Sequence, residues 1–143
     1  MKIAVVDGQG GGIGRIIVEK LRQELDQKCS IIGLGTNAVA ASVMLRAGAN
    51  EGASGENAVI FSAPRMDLIV GSVAVIAANS FSGELSPKMA EAIASSPAFK
   101  ILLPLNRCGI SIAGVADDPL PIQVDQMVVQ VKDFYQQFRN ECR

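Results

Sequence analysis

The chain alternates short, continuous apolar runs with longer segments in which apolar residues recur every three or four positions. Apolar runs predict buried parallel strands at residues 2–6, 30–35, 67–71 and 100–105. Helical periodicity predicts helices that begin near residues 12, 38 and 86, and a last helix that follows Pro119 and Pro121. Because strands and helices alternate, we predict a single α/β domain over residues 1–143, Rossmann-like, with three layers and a doubly wound, mostly parallel sheet of five to six strands.

Four segments do not follow this alternation clearly. Residues 50–54 fit a short strand or a turn, and residues 57–61 fit either a strand or a helix capped by Ser54. Residues 73–81 are apolar and ambiguous, because periodicity alone does not separate short strands from helices. Residues 110–115 are predicted to form a sixth strand.

Five glycines lie within residues 8–14, between the first predicted strand and the first predicted helix. Glycine lets a phosphate approach the backbone closely, and a helix N-terminus offers unpaired N–H groups and a positive dipole end. We therefore expect a nucleotide or another phosphate-bearing molecule to bind this segment, which consists of Gly8, Gln9, Gly10, Gly11, Gly12, Ile13 and Gly14. The alternative is that these glycines serve only close packing of the strand against the helix.

The spacing of the glycines narrows the choice of cofactor. It fits Gly-x-x-x-Gly-Ile-Gly, which resembles the cofactor loop of short-chain dehydrogenases, so NAD(P) or another nucleotide is the expected cofactor. A P-loop is excluded, because Arg15 and Ile16 stand where Lys and Ser or Thr belong. However, residues 35–37 contain no ribose-binding acid, and the chain has no Tyr-x-x-x-Lys motif. We therefore expect no hydride transfer by this chain alone.

Further candidates follow the predicted strands, whose carboxyl ends meet at the ligand-binding edge of such a sheet. They are Thr36, Asn37, Ser72, Asn79, Asn106, Arg107 and Cys108. Arg107 can hold a phosphate or carboxylate through two N–H groups, or it can pair with Asp7 or a helix end. We expect Cys108 to be a small packed residue rather than a nucleophile, because the chain contains no histidine to activate it.

Composition excludes several functional classes. With a net charge of −1, one Tyr and no Trp, the chain lacks the features of a nucleic-acid-binding protein. The absence of histidine excludes Ser-His-Asp chemistry, and we expect no metal site. The chain has no apolar run of about 20 residues, the length of a membrane span, and no signal-peptide pattern at its start. Its three cysteines are widely spaced, so we expect a reduced, cytoplasmic protein.

Several longer segments carry a resemblance to a known family. They are residues 7–14, 34–37, 51–58, 79–80, 87–92 and 104–108. Together they resemble a small bacterial family known only as a domain of unknown function, family 3842. The resemblance covers nearly the whole chain and implies a Rossmann-like fold, but it implies no established activity.

Two further functions stay open beside the binding of a phosphate-bearing molecule. One is a small enzyme that acts on an anionic substrate with Arg107 and Cys108, although no catalytic residue is assigned. The other is a structural or assembly protein without a ligand. We also expect a homodimer, because the last predicted helix carries more apolar surface than one sheet face can cover, and cyclic dimers are the commonest assembly. The apolar residues concerned are Met127, Val131, Phe134 and Phe138.

Overall fold

The computed structural model describes residues 1–25, 27, 29–105 and 108–142. Within this part of the chain, five strands form one parallel sheet in the order β3-β2-β1-β4-β5. The strands are β1 (Lys2–Asp7), β2 (Ser30–Gly35), β3 (Glu51–Ser54), β4 (Leu68–Ser72) and β5 (Phe99–Leu103). The helices are α1 (Gly12–Glu24), α2 (Ala38–Arg46), α3 (Glu56–Ser62), α4 (Pro87–Ser95) and α5 (Leu120–Glu141). The predicted Rossmann-like, three-layer fold is therefore confirmed.

Two apolar cores, one on each face of the sheet, explain the continuous hydrophobic runs. Along β1, Ile3 and Val5 belong to one core, whereas Ala4 and Val6 belong to the other. The first core includes residues of α1 and α5, and the second includes residues of α3 and α4. Because successive residues of a strand face opposite sides, a strand covered on both faces has no polar alternation.

The structure decides the ambiguous segments and corrects two expectations. Residues 51–54 form β3, and residues 57–61 belong to α3. The predicted cap at Ser54 is wrong, because the N-cap is Gly55, which has a φ of 96° and no side-chain cap. Residues 73–76 form a short 3₁₀ helix after β4, and an irregular loop follows it.

The predicted sixth strand at residues 110–115 is also wrong. This segment is irregular, and Ile112 and Val115 are 42% and 49% exposed. Gly109 and Gly114 have φ angles of 72° and 80°, which interrupt an extended backbone at both ends of the segment. The apolar run therefore does not add a sixth strand beside β5.

Most of the apolar face of α5 is used within the chain. Met127 and Val131 are buried in the first core, and the ring of Phe134 stacks on Phe99 with centroids 5.1 Å apart. Phe138 is only partly buried. The homodimer stays a prediction, with less exposed apolar surface on α5 to support it. None of the helices in the described part of the chain is long and apolar enough to span a membrane.

The first core allows a matched test of this packing. Leu21 on α1 is fully buried, whereas Leu45 on α2 is 46% exposed. Replacing Leu21 with alanine should lower the free energy of unfolding by about 2–5 kcal/mol, because it leaves a cavity. Leu45→Ala should lower the free energy of unfolding by about 1 kcal/mol or less, because this side chain is half exposed. Urea denaturation measures both values, and equal losses would contradict the assigned core.

Candidate functional site

A cleft of about 500 Å³ opens at the carboxyl edge of the sheet, above the junction of β1 and β4. The strand order changes direction at this junction, which is where open α/β sheets bind ligands. The wall consists of residues 7–13 together with Arg15, Ile16, Ser72, Ala74, Phe81, Ser82, Cys108 and Leu120. Its volume lies within the usual range for small-molecule sites, about 300–1,000 Å³.

The structure brings together many, but not all, of the residues predicted from sequence. Residues 8–13, Ser72 and Cys108 line the cleft. Gly14 lies in the first turn of α1 and contributes nothing to the wall, and Thr36 and Asn37 stand beside the cleft at the end of β2. Asn79, with a φ of 64°, is absent from the wall and donates its N–H to the carbonyl of Leu85. Asn106 and Arg107 lie outside the described residues.

Asp7 connects the end of β1 to the start of α1. Its buried carboxylate accepts hydrogen bonds from the N–H groups of Gly8 at 2.8 Å and Gly14 at 2.7 Å. A carboxylate is favourable here because it faces the positive end of the helix dipole. Among the described residues, no acceptor satisfies the N–H groups of Gly10, Gly12 and Ile13.

Three of the five glycines are required by close packing. A Cβ at Gly8 would lie 2.7 Å from Thr36 Oγ1, and one at Gly14 would lie 2.9 Å from the Cβ of Asp7. At Gly11 a Cβ would lie 2.9 Å from the Cα of Ala40, and the φ of 74° also favours glycine. The alternative that the glycines serve close packing is therefore supported at Gly8, Gly11 and Gly14.

Gly10 and Gly12 differ from the other three. Neither has a positive φ, and a Cβ at either residue would meet no atom of the described residues within 4 Å. Both line the cleft and have N–H groups that the described residues leave unpaired. Among the described residues, neither packing nor backbone conformation accounts for glycine at these two positions.

Arg15 supplies positive charge to the cleft. It lies in the second turn of α1, lines the wall, and pairs with Glu19 at 3.1 Å in an exposed contact. Helical periodicity places Arg15 away from the apolar stripe, but it does not reveal that this side of the helix faces the cleft. Only the position of α1 over the edge of the sheet makes Arg15 a candidate ligand contact.

Glu84 is a second residue that sequence reasoning missed. Its Oε1 accepts hydrogen bonds from the N–H of Gln9 at 3.2 Å, the hydroxyl of Thr36 at 2.9 Å and the side-chain amide of Asn37. The bond from Asn37 is the main cause that holds the pKa of Glu84 below its ordinary value, and Thr36 and Gln9 act in the same direction against desolvation. No local pattern indicates that Glu84 reaches residues so distant in the chain.

The described residues contain no cluster of three acidic, cysteine or histidine side chains placed to hold a metal ion. The polar groups that the described wall offers include backbone N–H groups and polar side chains, namely those of Asp7, Gln9, Arg15, Ser72, Ser82 and Cys108. Cys108 is partly exposed in the wall rather than packed inside the protein, which differs from the packed cysteine expected from sequence. This arrangement suits binding of an anion better than metal chemistry.

Comparison with known proteins adds a family but no activity. The family described as Domain of unknown function (DUF3842) matches residues 2–136. No curated protein and no solved structure matches this chain. The function must therefore be inferred from the geometry of the cleft.

The two classes of glycine should differ in their tolerance of substitution. Gly12→Ala should change the free energy of unfolding by less than about 1 kcal/mol, because the methyl group enters open space. Gly11→Ala should lower the free energy of unfolding by more than about 1 kcal/mol. The added methyl group would clash with neighbouring backbone, and alanine tolerates the positive φ of this position poorly. Thermal denaturation of both variants measures the difference, and comparable losses would contradict the classification.

Glu84 should make the stability depend on pH. Because its pKa in the folded protein lies below the ordinary value of 4.5, its stabilising contribution is complete above that pH and is lost as the pH falls through the folded pKa. The stability advantage of wild type over Glu84→Gln should therefore shrink between pH 6 and pH 3. Urea denaturation across this range tests the prediction, which a constant difference would refute.

Proposed function

The chain belongs to the DUF3842 family, and we propose that it binds a phosphate-bearing small molecule at the glycine segment of the cleft. The observation that carries this proposal is the pair Gly10 and Gly12, where the described structure leaves open space and unpaired N–H groups. Backbone N–H groups at a helix N-terminus are suited to phosphate oxygens. The cleft also has the volume of a small-molecule site.

The phosphate would accept hydrogen bonds from the N–H groups of Gly10, Gly12 and Ile13. The guanidinium of Arg15 would add a charge-assisted contact from the next turn of α1. Asp7 acts against this attraction, because its carboxylate lies in the same wall and already accepts from Gly8 and Gly14. We therefore expect weak binding, with the phosphate placed toward the N-terminus of α1 and away from Asp7.

Binding without hydride transfer agrees best with the residues present. NAD(P) and other nucleotides belong to the phosphate-bearing class, but the chain has no histidine and no Tyr-x-x-x-Lys motif. Its single tyrosine, Tyr135, lies in α5 and is buried in the first core. No group of the described cleft therefore corresponds to the acid of a short-chain dehydrogenase.

A second candidate function is a small enzyme that acts on an anionic substrate. The observation that favours it is the position of Cys108 and Asp7 in the same wall as the open glycines. A thiol beside a bound anion could react with it, although the chain contains no histidine to activate the thiol. Arg107, the other residue of this hypothesis, lies outside the described residues.

Gly12→Val tests the binding proposal directly. A Cβ at this position enters open space, so the branched side chain should obstruct phosphate. Calorimetry with inorganic phosphate should show binding to wild type and weakening of at least about tenfold in the variant, or about 1.4 kcal/mol. Circular dichroism verifies folding, and unchanged affinity in a folded variant would refute the proposed site.

The cysteines provide an independent test with an internal control. Cys108 lies in the cleft, whereas Cys142 is exposed near the end of α5. With inorganic phosphate at ten times its Kd, alkylation of Cys108 by iodoacetamide should slow by up to about tenfold, because few sites remain empty. The alkylation rate of Cys142 should not change. Mass spectrometry measures both rates, and equal rates at Cys108 with and without phosphate would contradict binding in this cleft.

A further inference from the structure

A dinucleotide needs free space on both sides of the junction of β1 and β4, where the strand order changes direction. Its pyrophosphate lies at the N-terminus of the helix that follows β1, and its adenosine ribose lies at the end of β2. In this chain the end of β2 is followed by Thr36 and Asn37, next to Gly8 at the end of β1. The space above these residues is where the nucleoside would have to lie.

Two side chains of the loop at residues 77–85 already occupy that space. The Glu84 carboxylate contacts Gln9, Thr36 and Asn37, and its Oε1 accepts one hydrogen bond from each of these three residues. The ring of Phe81 lies against Gly8, so that a Cβ there would come within 3.0 Å of the ring. The loop thus extends from the end of β4, across β1, to the end of β2.

The loop is anchored at both of its ends. The Ser80 hydroxyl donates to the carbonyl of Ala74 at 2.6 Å, and the N–H of Asn79 donates to the carbonyl of Leu85 at 2.8 Å. The Leu85 side chain is fully buried in the second core. These anchors hold Phe81 and Ser82 at φ angles of 55° and 56°, a left-handed conformation that residues other than glycine rarely adopt.

Beyond the glycine segment the wall of the cleft continues through Ser72, Cys108 and Leu120, toward β4 and the start of α5. A phosphate on Gly10 and Gly12 would therefore extend its organic group along this wall, because Phe81 and Glu84 fill the opposite side. The Glu84 carboxylate adds electrostatic repulsion to any second phosphate that approaches the end of β2.

We propose that Phe81 and Glu84 determine specificity by filling the nucleoside side of the site, so that it accepts small phosphate monoesters and rejects dinucleotides. This inference rests on the proposed phosphate binding. It narrows the ligand class to compounds whose phosphate is attached to a compact organic group that extends toward Ser72 and Leu120.

Calorimetry with glycerol 3-phosphate and NAD tests this specificity. Wild type should bind glycerol 3-phosphate at least about tenfold more tightly than NAD, a difference of about 1.4 kcal/mol. The double variant Phe81→Gly and Glu84→Ala should reduce this ratio by at least about tenfold, mainly through tighter NAD binding. Glu56→Ala is the matched control: it removes a carboxylate that contacts Ser86 outside the cleft, so the ratio should not change.

Hydrogen exchange shows what the variant does to the loop. In wild type the amides of Asn79 and Leu85 should be protected, and NAD should not change their exchange. In the double variant they should exchange faster, while the amides of β1 stay protected if the domain is folded. If the double variant loses amide protection throughout the domain, Glu84→Gln replaces it. We expect Glu84→Gln to reduce the ratio of glycerol 3-phosphate affinity to NAD affinity in the same direction, but by less.

The possible outcomes separate the two proposals. If neither glycerol 3-phosphate nor NAD binds to wild type or variant, the proposed function is wrong. If wild type binds both within about threefold, the function stands and the specificity inference is wrong. A variant with a mobile loop that gains no NAD binding also overturns the inference. NAD binding that weakens on loss of Glu84 would instead identify Glu84 as a ribose contact.

Discussion

The carboxylate of Asp7 determines the geometry on which the rest of the edge depends. By accepting from Gly8 and Gly14, it holds the end of β1 against the first turn of α1. The intervening residues must then turn within a very short distance, which brings the segment against Thr36 and Ala40. Glycine is required where these contacts are closest, and the described residues leave the N–H groups of Gly10, Gly12 and Ile13 in the wall of the cleft without an acceptor.

This constraint explains why one glycine-rich segment serves two purposes. Gly8, Gly11 and Gly14 let the backbone pack against its own neighbours, whereas Gly10 and Gly12 leave space above the backbone. Close packing therefore explains three of the five glycines, and the proposed phosphate binding rests on the other two. In the proposed binding mode, the Asp7 carboxylate beneath the segment would favour a small anion over a highly charged one.

The loop at residues 77–85 distinguishes this site from an ordinary dinucleotide site. Glu84 stands near the place where the ribose-binding acid of such sites is found, but it comes from the segment after β4 rather than from the end of β2. Its carboxylate is engaged by Thr36 and Asn37, and Phe81 covers Gly8. The absence of an acid at the end of β2 and the crossing loop are thus two aspects of one arrangement, in which Phe81 and Glu84 fill one side of the site.

The sequence by itself determined the fold class, the start of α1 at Gly12 and the meeting of residues 8–13, Ser72 and Cys108 at one edge. These follow from local rules, since apolar periodicity defines elements and parallel strands place their carboxyl ends together. It failed at residues 110–115, where apolar content does not guarantee pairing with the sheet. Only the tertiary structure decided the roles of Arg15 and Glu84 and the division of the glycines, because these depend on distances between segments far apart in the chain, which no local pattern encodes.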